Sequence, residues 1–586
     1  GGRRFERRVI DHPTLAYSFE VGKFQTWTGR AGDVDVTLAI DVTLSKRINK
    51  KSREELLATV VDSLAYFEKV FGPYPLDELT VVSVDRGFSQ SLFGFMTLAS
   101  ANMLDTSIWT VLLGFEDRRT VVAHEVAHQW WGHQVAWQSY RDQWISEAMA
   151  NYSAMLYARH RLNTAGPLFV GPTSGWQEAL TATLNGGRTV ESIGPLVLGE
   201  RLQSSRSFSA YQAIVYKKGA VVVDMLARAY GEKVFVEILR HMIAAVSFRQ
   251  ISTETFVDLI GRISGGDLSG FAEQFIYGTG LPDVYYRYEF SPTAEGKWLV
   301  EGAAQQRSPY RYRHEVVERD DGGFDIARQR LDQAEMSDSK LVVPVQIAVF
   351  NPDSPQLKAE KKLGHDPRVT GNGLVKGQLV LSGESSEFRF ELDYEPKELW
   401  LDRDVEVFGQ FYNEKRFPKR MFYYQGLALA AGGELAAAEA VYRQALDASI
   451  FDGPSYSQTS KPKDIQRKGE RLDAGVRLQL ARLYLDQGRT AEARAIFESL
   501  RKTVGNASRT SLGAIAKNLE ARLAIREGDF ERAFKLLRKA MWSGGTERLL
   551  LLAIAARETG RDDVYDRVVT RANRQGADLS VLERAG

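Results

Sequence analysis

Residues 124–147 read HEVAHQWWGHQVAWQSYRDQWISE. His124 and His128 stand four residues apart, so on a helix their imidazoles project from one face, about 40° apart in projection, and can bind one ion. Glu125 lies beside them, free to act as a base. Gly132 is a natural helix stop. After a polar loop, a second helical pattern puts Trp144, Ala148, Asn151 and Met155 on one face and carries Glu147, which supplies a third ligand. Catalytic zinc takes three protein ligands and keeps one position open for water, which a His-His-Glu set allows. The bland alternative is an amphipathic helix with two buried, hydrogen-bonded histidines. With 8 histidines in 586 residues, chance yields HExxH with a probability of roughly one in a hundred.

HEVAHQWWG, the eighteen residues between His128 and Glu147, and the flanking WISEAMANY resemble the gluzincin zinc aminopeptidase family, which includes aminopeptidase N and leukotriene hydrolase. Where that family shows W-L-N-E-G-F-A, this chain has Ser146 in place of asparagine and Ala148 in place of glycine. The resemblance implies one Zn2+ ion on His124, His128 and Glu147, with Glu125 as general base. A second match, YQAIVYKKGA at 211–220, is similar to the family's Y-x-K-G-A segment. Tyr216 thereby inherits the role of donor to the developing oxyanion, with Tyr211 as the second candidate. His133, just past the glycine, is not expected to be a ligand.

A third segment departs from the family. FSQSLFGFMTLAS at 88–100 stands where the family's G-A-M-E-N strand pairs with the substrate backbone and holds its α-ammonium through the glutamate. With Gly94 and Met96 in register, the substrate-binding stretch is Gly94, Phe95, Met96 and Thr97, and Thr97 takes the glutamate's position. A charged hydrogen bond is worth about 1.5–3 kcal/mol, so losing the carboxylate removes much of the reason to prefer a free N-terminus. The backbone edge can still add substrate as a strand, which requires no particular side chain.

A chain of 586 residues spans about three to five domains. Lys and Arg number 76 against 75 Asp and Glu, so overall charge supports neither a nucleic-acid partner nor electrostatic membrane binding. There are no cysteines, which excludes disulfides, thiolate ligands and a cysteine nucleophile. The apolar runs fall short of a membrane span, and GGRRFERRVI lacks the apolar core of a signal peptide. The compartment stays open between a bacterial periplasmic or secreted protein and a cytoplasmic one.

The expected class is a multidomain α+β protein. Residues 1–47 read as residual strands of an N-terminal β domain that is otherwise largely absent. Residues 48–283 read as a thermolysin-like catalytic domain, opening with a helix at 52–71 capped by Ser52 and Glu55. Its loop at 194–205, with Pro195 and Arg201, either lines the substrate pocket or is a surface connection. From 284 to 411 short segments rich in β-branched and aromatic residues indicate a β-sandwich. Residues 412–586 fit tetratricopeptide (TPR-like) repeats: Gly426, Gly433, Ala438, Tyr442 and Ala445; then Leu480, Tyr484, Gly488, Ala493 and Phe497; then Gly528, Ala533, Leu537 and Ala540; and a degenerate copy with Gly560. Such a solenoid either binds a peptide or protein partner or caps the cleft.

Three functions are expected in competition. The first is a zinc metallopeptidase acting on peptides as an endo- or oligopeptidase. The second is a conventional aminopeptidase that uses another carboxylate for the N-terminus. The third is a non-catalytic scaffold working through its helical repeats.

Overall fold

The computed structural model describes residues 9–14, 16–104, 118–162, 176–181, 189–202, 208–307, 312–318, 324–330, 340–353, 368, 371–403, 406–450, 462–505, 511–538 and 546–574. The chain divides into two compact units. One comprises Gly1–Ala182, Val190–Thr279 and the short return Asp404–Phe408; the other comprises Thr183–Thr189, Gly280–Arg403 and Gly409–Gly586. Residues 203–205 of the 194–205 loop and Ala540 of the third repeat lie outside the described residues.

The first unit opens with the antiparallel hairpin β1 (Phe24–Ala31) and β2 (Val34–Asp41), in which alternation puts Val36, Leu38 and Ile40 wholly inside. Next come helix α1 (Lys50–Phe71) and strands β3 (Glu78–Val84), β4 (Gln90–Leu92) and β5 (Phe95–Ala99). β2 and β5 run parallel to β3 on either side of it, and β4 pairs antiparallel with β5. The sheet order β1-β2-β3-β5-β4 therefore makes β4 an edge and gives β5 a neighbour on each side.

α1 begins earlier than Ser52 suggests. The Asn49 side chain accepts from the Ser52 N–H at 2.8 Å, so Asn49 is the N-cap and Ser52 sits within the first turn. Asparagine is as good a cap as serine, and Lys50 and Lys51 extend the helix readily. Leu56, Val60, Leu64, Phe67 and Phe71 form its buried stripe.

The functional helices follow: α2 (Arg118–Ala127), α3 (Gln143–Arg161), a π-helix at Gln212–Lys218, α4 (Gly219–Tyr230), α5 (Glu232–Val246) and α6 (Thr253–Ser264). α3 is buried almost all round from Trp144 to Ala158. Such a helix is held by tertiary packing on every side, which suits it to carry a fixed functional group.

In the second unit β6 (Asp283–Pro292), β7 (Trp298–Arg307), β8 (Tyr312–Glu318), β9 (Phe324–Arg330), β10 (Leu341–Phe350), β11 (Gly373–Leu381), β12 (Ser385–Leu392), β13 (Glu395–Leu401) and β14 (Gln410–Asn413) succeed one another. They give a four-stranded sheet ordered β12-β7-β6-β14, a three-stranded sheet ordered β11-β10-β13, and the antiparallel pair β8 and β9.

The helical part of that unit consists of antiparallel pairs: α7 (Pro418–Ala431) with α8 (Leu435–Asp447), α9 (Pro462–Asp486) with α10 (Thr490–Gly505), α11 (Ser511–Arg526) with α12 (Phe530–Leu537), and α13 (Thr546–Glu558) with α14 (Asp562–Arg574). Each pair turns on a glycine with positive φ, at Gly433, Gly488, Gly528 and Gly560. Ala438, Tyr442, Ala445, Leu480, Tyr484, Ala493 and Phe497 share one apolar core, so the repeat residues read from the sequence are the ones that pack. Residues 451–461, between the first two pairs, lie outside the described residues. Among the described residues, no helix is long and apolar enough to cross a membrane.

Candidate active site

α2 carries His124 and Glu125 into the interior and ends at Ala127, so His128 stands on the turn that continues it. His128 Nδ1 lies 2.8 Å from the Trp131 carbonyl, which must accept. That contact puts the ring proton on Nδ1 and leaves the Nε2 lone pair for a ligand. Gly132, at φ +117°, lets the chain turn back beside Ser146, whose Oγ would lie 2.6 Å from a Cβ there. The loop then reaches Asp142, a buried carboxylate whose two oxygens accept from Ser139 and from the N–H and Oγ1 of Thr253 at the start of α6. This clamp fixes the entry of α3, and with it Glu147.

The three expected ligands converge. His124 Nε2 and His128 Nε2 are 3.1 Å apart, and Glu147 Oε2 lies 3.6 and 3.5 Å from them. Four-coordinate zinc at about 2.0–2.1 Å from its ligands sets donor atoms about 3.3 Å apart, so the set fits such an ion. Glu147 Oε2 is buried without a hydrogen-bond partner, as expected of an atom aimed at a cation. Burial opposes its charge, but the His128 and His124 imidazoles hold the Glu147 carboxyl well below the usual carboxylate range. Burial also opposes the His128 cation, and the Glu147 and Glu125 carboxylates outweigh it, raising His128 to about 9, so this position favours a positive charge, which an ion on Nε2 would supply in place of the proton. His124 is lowered by burial. Burial pushes the Glu125 carboxyl up to about 7, into the range of a working base.

Tyr216 reaches the same place from the π-helix, its ring 6.1 Å from that of His124 and 5.6 Å from that of Tyr211. Burial, with Glu147 beside it, keeps the Tyr216 phenol protonated well above its ordinary range, so it stays a hydrogen-bond donor. Gly219 packs so closely on α3 that a Cβ there would lie 2.7 Å from that of Ala148, which explains the small residues at both positions.

His124, Glu125, His128, Glu147, Tyr211 and Tyr216 line one cleft of about 420 Å³. The expected substrate-binding stretch does not join them. Gly94 precedes β5 and gives its N–H to Gln129 Oε1, Phe95 begins β5, Met96 is wholly buried, and Thr97 is buried with its Oγ1 on the Gln90 carbonyl. The strand along the cleft is β4, through Gln90, Ser91 and Leu92. The expectation was one strand out, because β5 is covered on both sides and only an edge can receive a further strand. Alternation alone cannot tell an edge strand from its neighbour. Gln129 Nε2 and His133 Nε2 hold β4 from beneath, the first on Ser91 Oγ at 2.7 Å and the second on the Ser91 carbonyl at 2.9 Å. Burial lowers His133 to about 4, so it is a neutral support, and it does not belong to the group His124, His128 and Glu147 that could hold a metal. Pro195 and Arg201 are not among the residues lining the cleft; Arg201 lies over the Tyr140 ring.

The profile of the peptidase family M1 domain matches residues 56–275, the span that holds every one of these groups. The first unit carries a peptidase family M1 domain, of the gluzincin aminopeptidase family. The M1 domain is followed by a tetratricopeptide repeat region, matched at 412–453 and 478–545. Aminopeptidase 2, mitochondrial, of Saccharomyces cerevisiae is 23% identical over 242 residues, which are 40% of this chain and 24% of the yeast protein. Aminopeptidase N of Oryctolagus cuniculus is 28% identical over 176 residues, 28% of this chain and 17% of that protein. The chain thus spans about a quarter or less of these M1 relatives. A crystal structure of Legionella pneumophila aminopeptidase A in complex with aspartic acid aligns with a TM-score of 0.44 at 13% identity, over 96% of this chain and 63% of that one.

Proposed function

We propose that the M1 domain is a zinc-dependent peptidase of thermolysin-like architecture, carried by residues 48–283 with the strands of 1–47. Residues 284–411 serve as a β-sandwich spacer, and the helical repeats of 412–586 offer a surface for a protein partner. The observation that carries the reading is the meeting of His124, His128 and Glu147 within 4.8 Å of one another, with Glu125 and Tyr216 in the same cleft. His124, His128 and Glu147 would hold one zinc ion, which when bound supplies Lewis acidity toward water and the scissile carbonyl. Glu125 takes the proton of the attacking water and returns it to the leaving amine. Tyr216 donates its phenolic proton in a hydrogen bond to the oxyanion. β4 receives the substrate backbone as an added strand.

Among the described residues that line the cleft, the carboxylates are Glu125 and Glu147 alone; the other polar groups include Ser89, Gln90, Asn102, Gln143 and Gln212. Neutral amides and hydroxyls have no special affinity for an α-ammonium, so this lining favours internal cleavage over removal of N-terminal residues. The test is mass-spectrometric mapping of cleavage in a peptide library supplied with free and acetylated N-termini, with and without a chelator. Chelator-sensitive internal cleavage indifferent to acetylation is expected. Cleavage confined to free N-termini would establish the aminopeptidase reading instead, and no cleavage at all would shift function to the repeats.

A further inference from the structure

His124 Nδ1 and Asn151 Oδ1 are both buried without a hydrogen-bond partner. A metal-ligating histidine generally gives its other ring N–H to an oxygen, which fixes its tautomer and ring orientation. His128 has that oxygen in the Trp131 carbonyl. For His124 the side chain available is Asn151, fully buried on α3 one helical turn after Glu147 and so on the same face. The other end of its amide is already committed, since Asn151 Nδ2 donates to the Tyr216 carbonyl at 3.0 Å. A carbonyl only accepts, so this bond identifies the nitrogen and turns Oδ1, an acceptor, toward the remaining neighbour. Asn151 also stands close enough to the His124 imidazole to oppose, after the larger effect of Glu147, its lowering by burial.

We propose that Asn151 is a positioning residue joining the ligand His124 to the segment that carries Tyr216: its Oδ1 accepts from His124 Nδ1–H while its Nδ2 holds the Tyr216 carbonyl. The nitrogen end of one amide thus sets the height of the oxyanion donor, and the oxygen end sets the tautomer that leaves His124 Nε2 free. A π-helix needs such an anchor, because its backbone spacing is less favourable than that of the α-helix it interrupts. The proposal rests on the zinc reading given above.

Two substitutions separate the ends of the amide. Asn151→Asp keeps an acceptor for His124 and removes the donor to Tyr216; Asn151→Ala removes both. Zinc affinity is measured by competition with a chromophoric chelator, beside melting temperature and the kcat and KM of peptide cleavage. Asn151→Ala is expected to bind zinc about 10–100-fold more weakly. Asn151→Asp is expected to bind it as tightly as the wild type or tighter, yet to lose kcat with little change in KM. A residue needed only for packing would lower the melting temperature in both variants without dividing affinity from kcat. Unaltered zinc affinity in a folded Asn151→Ala protein would overturn the proposal, as would an Asn151→Asp protein that loses affinity tenfold. A wild-type protein that takes up no zinc would overturn the zinc reading and this proposal together.

Discussion

Lys218 Nζ lies 2.8 Å from Glu191 Oε1, and the two side chains are 0% and 2% exposed. The lysine also donates to the Gly278 carbonyl at 3.2 Å, so the end of the π-helix is tied to two distant points of the first unit. Removing one partner of a buried ion pair strands the other charge in a poor solvent, at a cost of about 3–5 kcal/mol. Lys218→Met is expected to destabilise the first unit by that order in chemical denaturation. Adding Glu191→Leu should recover part of the loss, the signature of a coupled pair.

Glu125→Gln keeps the shape of the side chain and removes its basicity. Peptide cleavage is expected to fall by about 10²–10⁴-fold, with zinc content by elemental analysis unchanged. Retention of full activity would remove Glu125 from the chemistry.

Tyr216→Phe removes one hydroxyl from the cleft. A loss of about 10²–10³-fold in kcat is expected, with zinc affinity kept. The same change at Tyr211, which touches the Tyr216 ring from the side, should cost far less, and steady-state kinetics of both variants distinguishes them.

Thr97→Glu places a carboxylate where the sequence alone suggests an N-terminus anchor. Thr97 is 2% exposed and sits in β5, away from the cleft lining. The substitution is expected to lower stability, since a buried unpaired carboxylate is costly, and to leave the ratio of cleavage between free and acetylated peptides unchanged. Denaturation and the peptide library measure the two effects.

In the helical repeats, hydrogen bonds from Arg489 pull the Glu439 carboxyl down to about 2, against a slight burial cost, with Arg443 and Tyr484 adding to the effect. A carboxylate whose folded pKa is depressed stabilises fully above its ordinary value near 4.5, and that contribution drains away as pH falls toward 2. Melting temperature across pH 5 to about 2 is therefore expected to fall less steeply in Glu439→Gln than in the wild type.

The presence of Glu125 and Tyr216 in the same cleft was legible from the resemblance to a family, and the grouping of His124, His128 and Glu147 from short-range spacing on helices. The repeats were legible for the same reason: Gly426 is small because a Cβ there would meet the Tyr442 ring at 2.5 Å, a contact within one helical pair. What escaped was non-local. Whether the 88–100 stretch offers Gly94–Thr97 or Gln90–Leu92 to the cleft depends on which strand ends the sheet, and nothing within the stretch itself marks that edge. The π-helix also left no trace, since its 7 residues are too few for its period to be told from that of an α-helix. Asn151 falls on the right face as a packing residue, and its second role needs the position of the Tyr216 carbonyl.

The edge strand has only three residues, Gln90–Leu92. At about 3.4 Å per residue it offers a ruler of about 10 Å, so backbone pairing can register no more than three successive units of a bound chain. Under the function proposed above, a peptide longer than that would be gripped at its middle and left to its own conformation beyond, so that the local extended character of a substrate, more than its total length, would be the quantity this cleft measures.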